Sequence, residues 1–315
     1  MEWMRPNDRE AESGLRALKS ICIADGQFDD LERELLNSVQ EHWLHTSYDL
    51  DALAEITPEA LASDIVDPRQ REQWVNGMAV VSMANGEETQ EKATCVRAYA
   101  DALSVQNHLV RDLQLLVDHH LALFRFDLIR RTELFDLVKH FAKDRGVRGL
   151  FKAAKSASGH GFDPKEAQRF QRLGLLPEGT VGRAYWTFTR ENHFSFPGEP
   201  HGPPAPLVHH DLAHVLGGYG TSGAEEIMVA AFQAGALRKD PFAVLIFALC
   251  QFHLGIRITP ITAAQRGHFQ PDDVVRAFKR GRTSTIPNFQ VDWDPFSIME
   301  RPLDEVRREY KICAS

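Results

Sequence analysis

Three histidines and three carboxylates lie close together in "HHDLAHVLGGYGTSGAEE", residues 209–226. The prolines of "PGEPHGPPAP" just upstream cannot continue a helix, so we expect a new helix to begin near Leu207. In that helix His210 and His214 are one turn apart, and Asp211 lies about 60° from His214 around the axis. Imidazoles and a carboxylate on one helix face suit Zn²⁺ or a similar divalent ion. The spacing therefore predicts a metal site.

The glycine-rich stretch after this helix brings further carboxylates near it. Gly217–Gly218 is expected to end the helix, and "YGTSG" to turn the chain into a second helix that doubles back along the first. Glu225 and Glu226 lie in the first turn of that helix. Adjacent helical residues differ by about 100°, so only one of them is expected to face the metal. His209 lies about 100° from His210 and is left outside the site.

Other interpretations of the same residues stay open on spacing alone. One is a capped helix end with solvated histidines. A second is a metal-dependent phosphohydrolase centred on His210 and Asp211, with His160 or His193 upstream and Asp240 downstream. A third is a zincin-like H-x-x-x-H pair in which Asp211 replaces the glutamate base. A phosphate-binding loop is disfavoured because no Gly-Lys-Ser/Thr follows the glycines.

The composition is that of an ordinary globular protein and excludes several classes. The 315 residues are 43% hydrophobic and 25% charged, with a net charge of −8, so we expect no nucleic-acid partner. The four cysteines have no C-x-x-C spacing, which favours a reducing compartment. The N-terminal residues lack an apolar signal region, so a cytoplasmic location is predicted. The length predicts two or three domains.

The N-terminal part contains two similar segments. Residues 18–40 and 78–103 each place Ala-Asp/Asn-Gly after an apolar helix and before an acidic one, which indicates a duplicated helix-turn-helix unit. Helix capping accounts for these turns, and the alternative is a calcium-like site. An EF-hand is excluded because its sixth and twelfth positions would be Asp30 and Leu36. The candidate oxygen ligands of a calcium-like site are Asp25, Asp29, Asp30, Glu87 and Glu88.

The segment "ADGQFDDLERELL" resembles the turn and acidic helix of the TerB-like (tellurite resistance) helical domain, and the resemblance covers roughly residues 10–106. It implies a helical bundle with two pseudo-repeated units. Acidic residues at such turns have been associated with metal binding, which makes Asp25 and Asp29 candidates here. We expect a TerB-like domain in residues 1–106, connecting helices in 107–149 and a second helical domain in 150–315.

The second domain resembles the coenzyme Q (ubiquinone) biosynthesis protein 4 family. "HDLAHVLGGYGTSGAEE" looks like its H-D-x-x-H motif, which eleven residues separate from a glutamate, here Glu226. "RLGLLPEGTVGRAYWTF" and the tail "TIPNFQVDWDPFSIMERPLDEVRREYKI" also resemble that family. The resemblance implies an all-α fold in which a divalent ion, most often zinc, is held by His210, Asp211, His214 and Glu226. Asp211 and Glu226 are the expected catalytic residues.

The same resemblance implies a function. It is oxidative decarboxylation at ring C1 of a polyprenylated aromatic precursor of ubiquinone, with other biosynthetic enzymes as partners. The rival hypothesis is a non-catalytic scaffold that binds a quinone or another isoprenoid lipid and holds a structural metal. The run Phe242–Ile256, with Met228, Phe232 and the aromatics of "YWTF", could line a slot for the prenyl tail or be a core helix, and the uncharged run Pro241–Ile256 is short for a membrane span. Peripheral contact with the inner membrane surface and a homo-oligomer are further expectations.

Overall fold

The computed structural model describes residues 4–131, 163–203, 205–237, 240–259, 262–287 and 293–312. These residues form fourteen α-helices and no strand, which confirms the all-α prediction. In chain order the helices are α1 (Asp8–Cys22), α2 (Asp30–Val39), α3 (Pro58–Asp64), α4 (Pro68–Val81), α5 (Gln90–Ala102), α6 (His108–Val117), α7 (Leu121–Arg131), α8 (Pro164–Gln171), α9 (Val181–Glu191), α10 (Val208–Gly217), α11 (Gly223–Ala236), α12 (Pro241–Phe252), α13 (Pro271–Thr283) and α14 (Leu303–Glu309).

Two pairs among the first five helices, α1 with α2 and α4 with α5, repeat one local pattern at an offset of sixty residues. α1 and α4 each start at a side-chain N-cap and lead into a turn closed by a glycine with positive φ, after which α2 or α5 starts at another N-cap. Polar N-caps and left-handed glycines are the local signals that begin and end helices. The equivalent residues are Asn7 with Asp67, Gly26 with Gly86, and Asp29 with Thr89. The predicted duplicated unit is therefore present in the structure.

At the first turn, two acidic side chains are paired with a buried lysine. The Lys92 ammonium, which is fully buried, lies 2.7 Å from Glu32 and 2.9 Å from Asp25. Asp29 caps α2 and exchanges hydrogen bonds with Glu32 across the first turn of the helix. Within the described residues, the acidic side chains around the two turns do not form a group of metal ligands. The candidate ligand Asp25 is thus neutralised by a residue of the second repeat.

The helices predicted to connect the two domains pack against the N-terminal bundle. α6 contacts α4 and α5, while α7 contacts α6 and also α12 from the second half. The remainder of the predicted connection, residues 132–149, lies outside the described residues. α6 and α7 are therefore integrated into the packing, and α7 reaches across to the C-terminal helices.

The two halves of the chain share one core. A single hydrophobic cluster includes buried residues from α1 through α14. α13 packs against α2 and the turn after it, where His42 Nε2 lies 2.8 Å from Asp272 and the rings of Trp43 and Phe278 are 5.5 Å apart. Apolar burial and a polar contact thus tie the helices of the second half to those of the first.

The longest apolar run of the sequence forms a core helix. Most residues of α12 are buried, and α12 packs along α11, which carries one of the predicted metal ligands. Among the described helices, none combines the length and apolar content that crossing a bilayer requires. The buried side chains of α12 are part of the protein core, and α12 packs along α11.

Candidate metal centre

The helix that carries the histidines begins and ends where the sequence predicts. α10 starts at Val208, directly after the proline-rich segment, and ends at Gly217. Gly218 has φ 76°, a left-handed conformation that glycine adopts without strain. The backbone N–H groups of Gly218 and Tyr219 both donate to the carbonyl oxygen of His214. The turn that follows is therefore fixed directly at a predicted ligand.

Two arginines from later helices satisfy the last carbonyl groups of α10. Arg307 donates to Leu216 O and Val215 O, both at 3.0 Å, and Arg280 donates to Gly217 O at 3.0 Å. The C-terminal end of a helix carries partial negative charge and unpaired carbonyl groups, which such cations stabilise. The position of α10 is thereby held by the C-terminal part of the chain.

Glu225 and Glu226 separate into two roles. Ser222 caps α11, and the Glu225 carboxylate closes the capping box and also accepts from Gly220 N at 2.9 Å. Glu225 is therefore engaged in the turn, and Glu226, one position on, faces α10. The spacing Ser-x-x-Glu is a sequence signature of this cap, so it could have assigned the two glutamates without a structure.

Three of the predicted ligands come together between α10 and α11. Nε2 of His210 lies 3.2 Å from Nε2 of His214, and Oε2 of Glu226 lies 3.5 Å from the first and 3.8 Å from the second. Tetrahedral zinc with bonds of about 2.0–2.1 Å keeps its ligand atoms roughly 3.4 Å apart. The triangle of two nitrogens and one oxygen therefore has the size that one zinc ion requires, and the donor set fits that ion.

Both imidazoles are oriented through their second nitrogen. His210 Nδ1 lies 2.9 Å from Oε1 of Gln233, and His214 Nδ1 lies 2.8 Å from the carbonyl oxygen of Gly220. These oxygens accept, so both Nδ1 atoms donate and both Nε2 atoms are directed toward Glu226. The ring of Phe188 stacks on His214 at a centroid distance of 5.2 Å. This is the outer arrangement expected around metal-binding histidines.

Burial and neighbouring charges shift the pKa values of these groups in opposite directions. Burial lowers the pKa of His210, but the hydrogen bond and charge of Glu226 outweigh it and raise that pKa to about 9. Burial and the neighbouring His210 charge lower the pKa of His214 to about 4. Burial raises the pKa of Glu226, but the hydrogen bond and charge of His210 outweigh it, so the net shift is downward. Without metal at neutral pH, His210 is therefore the cationic imidazole of the group, with His214 neutral and Glu226 ionised.

Asp211 lies beside this group rather than within it. The three ligand atoms that lie within 4.8 Å of one another belong to His210, His214 and Glu226. One carboxylate oxygen of Asp211 lies 3.5 Å from the hydroxyl of the fully buried Tyr185 on α9. Burial raises the pKa of Asp211 to about 6, with the charge of Glu226 acting in the same direction. Asp211 is thus placed to hold or release a proton next to the ligands.

The remaining histidines and aspartate of the alternative constellations have other positions. His209 is buried, and its ring meets that of Trp293 edge-on at a centroid distance of 5.1 Å, away from the ligand group. Asp240, which a phosphohydrolase site would need, pairs with Arg131 of α7. His193 lies in the turn after α9 and is not part of the ligand group, and His160 lies outside the described residues.

The motif could not reveal four further groups that contact the predicted ligands. They are the side chains of Gln233, Tyr185 and Phe188 and the carbonyl of Gly220. Gln233 follows Glu226 by seven residues, two helical turns, and that spacing is the signal that places both on one face of α11.

The chain has no match among protein-family models, curated proteins or solved structures.

Proposed function

We propose that the chain binds one divalent metal ion, most favourably Zn²⁺, through His210, His214 and Glu226, and that it is a metal-dependent enzyme. The observation that carries this proposal is the orientation of the two imidazoles. Each donates its Nδ1–H to an oxygen atom and directs Nε2 toward Oε2 of Glu226. Two histidines and a glutamate are the protein ligands of one type of catalytic zinc site, which keeps an exchangeable position.

The reaction proposed is oxidative decarboxylation at ring C1 of a polyprenylated hydroxybenzoate, a step of ubiquinone synthesis. This part rests on the likeness of residues 150–315 to the coenzyme Q biosynthesis protein 4 family. The bond between ring and carboxyl breaks, a bond between ring and oxygen forms, and two electrons pass to an oxidant. Zinc has no redox chemistry, so the oxidant is a co-substrate such as dioxygen.

The residues of the chain divide the work as follows. The bound ion supplies Lewis acidity toward substrate oxygens. His210, His214 and Glu226 hold that ion. Asp211, whose pKa is raised to about 6, exchanges a proton with the reacting ring near neutral pH, and the Tyr185 hydroxyl beside it orients that carboxyl.

The substrate class brings further expectations. A prenylated quinone precursor requires an apolar binding surface on the protein. Peripheral contact with a membrane would let the protein take this precursor from the lipid phase. The buried side chains of α12 are occupied by packing against α11, so the prenyl tail would lie against other surfaces in this conformation. Contacts with other biosynthetic enzymes and self-association belong to the same proposal.

The test compares two variants in which one of two adjacent glutamates is replaced by the neutral glutamine. Glu226→Gln removes a ligand charge, whereas Glu225→Gln retains the capping box, which accepts Glu or Gln at that position. We expect purified protein to bind one zinc ion per chain and to release CO₂ from a prenylated hydroxybenzoate in air. Glu226→Gln should weaken zinc binding at least about tenfold and abolish turnover, while Glu225→Gln retains both.

Two outcomes would decide against this proposal. Wild-type protein that binds no stoichiometric zinc or cobalt would remove the metal site altogether. Zinc that binds without turnover, and whose removal lowers the melting temperature sharply, would favour the scaffold with a structural ion. That second candidate has one specific observation in its favour, because an ion held by residues of both α10 and α11 would cross-link those helices.

A further inference from the structure

Gln233 contacts the candidate metal centre from the interior of the protein. Its side chain is fully buried on α11, two turns after Glu226, and its Oε1 lies 2.9 Å from Nδ1 of His210. The same helix thus supplies one ligand and the outer partner of another ligand.

The orientation of this amide decides which nitrogen of His210 is free. A neutral imidazole carries one proton, and an amide oxygen only accepts. With Oε1 facing Nδ1, the proton is on Nδ1 and the Nε2 lone pair is available to a metal ion. If the amide turned over, its NH₂ group would donate to Nδ1, and the ring proton would move to Nε2, the atom directed at Glu226.

The two histidines differ in how firmly their hydrogen-bond partners fix the tautomer of the ring. His214 donates to the backbone carbonyl of Gly220, which cannot exchange donor and acceptor. His210 depends on a side chain that can do so. In the structure, Nε2 of Gln233 is buried without a hydrogen-bond partner. This orientation therefore gives His210 its acceptor and leaves one buried amide N–H without a hydrogen bond.

We propose that Gln233 is a positioning residue that fixes His210 as the Nδ1–H tautomer and thereby keeps its Nε2 open to the metal ion. This inference rests on the proposed metal site, but it also makes a statement about the metal-free protein. In zinc-free protein at a pH where the imidazole is neutral, His210 carries its proton on Nδ1.

The experiment uses three variants of the full chain. Gln233→Met preserves side-chain length without hydrogen-bonding groups, and Gln233→Glu preserves an oxygen acceptor. Gln251→Met is the matched control, because Gln251 is equally buried on α12 but bonds to the backbone of Thr262 and Ile258 instead. Zinc affinity is measured by chelator competition, and the tautomer of His210 by long-range ¹H–¹⁵N correlation spectra of the zinc-free protein.

Gln233→Met should weaken zinc binding about 10–100-fold and move the His210 proton toward Nε2. Gln233→Glu should restore both properties, and Gln251→Met should lower stability without changing either. Equal loss of zinc affinity in Gln233→Met and Gln251→Met would reduce Gln233 to a structural role and overturn the proposal.

The wild-type spectrum separates this proposal from the proposed function. His210 found as the Nε2–H tautomer in zinc-free wild-type protein overturns the role of Gln233 even if Gln233→Met does not fold. Wild-type protein that binds no zinc, but holds His210 as the Nδ1–H tautomer, contradicts the metal site and leaves the role of Gln233 in orienting the imidazole supported.

Discussion

Nε2 of His210 and Nε2 of His214 lie 3.2 Å apart, and both face Oε2 of Glu226. Because each Nδ1 already donates to an oxygen, two lone pairs and a carboxylate would meet at one point. A proton on His210 relieves this repulsion, and accordingly the pKa of His210 is raised to about 9. That proton lies on Nε2 of His210, the atom to which the metal ion would bind.

Zinc affinity should therefore depend on pH in a simple way. Below the pKa of about 9, each zinc ion that binds must displace one proton from His210. We expect the association constant to rise about tenfold per pH unit from near neutrality to that pKa, and to level off above it. Competition titrations across this range measure the slope. An affinity that does not change with pH would show that zinc does not bind at His210 Nε2.

The metal-free protein should lose stability in acid partly through His209. Burial lowers the pKa of His209 to about 4, below the unfolded value of 6.5, so the unfolded chain binds the proton first as the pH falls. The stabilisation is present above pH 6.5 and is lost as the pH falls through 4, at up to about 1.4 kcal/mol per pH unit. His209→Asn should reduce this slope in urea unfolding and leave zinc affinity unchanged. An unaltered slope would contradict the assignment.

Asp211→Asn should separate proton transfer from metal binding. Asp211 lies outside the group of three ligand atoms, so its amide variant should retain zinc affinity within about tenfold and reduce turnover about 10²–10⁴-fold. Chelator competition and CO₂ release measure the two effects. If Asp211→Asn loses zinc as completely as His214→Ala does, Asp211 is a fourth ligand.

Lys92→Met should be far more damaging than removal of the whole ion pair. The single change leaves the fully buried Glu32 without its cation, which costs about 3–5 kcal/mol for buried pairs. The double variant Glu32→Leu with Lys92→Met removes the buried carboxylate together with its cation and leaves only the partly exposed Asp25 unpaired, so we expect it to be more stable than Lys92→Met. Urea unfolding of the two single variants and the double variant measures the coupling. Additive losses would contradict this expectation.

The sequence alone could predict much of α10 and α11, because their boundaries depend on local signals. Prolines precede the first helix, Gly218 ends it, and Ser222 caps the second. The positions of Asp211 and Gln233 could not be predicted in this way. They depend on how α9, α10 and α11 pack, and a difference of a few ångströms decides whether a carboxylate meets a metal or a tyrosine hydroxyl.

The sequence could not predict the partner of the acidic N-terminal turn for a related reason. Asp25 in an acidic segment is typical of a cation site, and the cation that neutralises it lies 67 residues further along the chain, at Lys92. Only the packing of α5 against the turn brings the two together. A pattern of acidic residues therefore indicated a requirement for positive charge but not its source.

Glu32 and Lys92 stand at equivalent positions of the two repeats, sixty residues apart, and pair with each other. A bundle built from two copies of the first repeat would face a buried carboxylate with its own image, and one built from two copies of the second would oppose two ammonium groups. Two copies of the same repeat would therefore bring like charges together in the interior. The opposite charges of Glu32 and Lys92 favour pairing of the two different repeats over pairing of either repeat with a copy of itself.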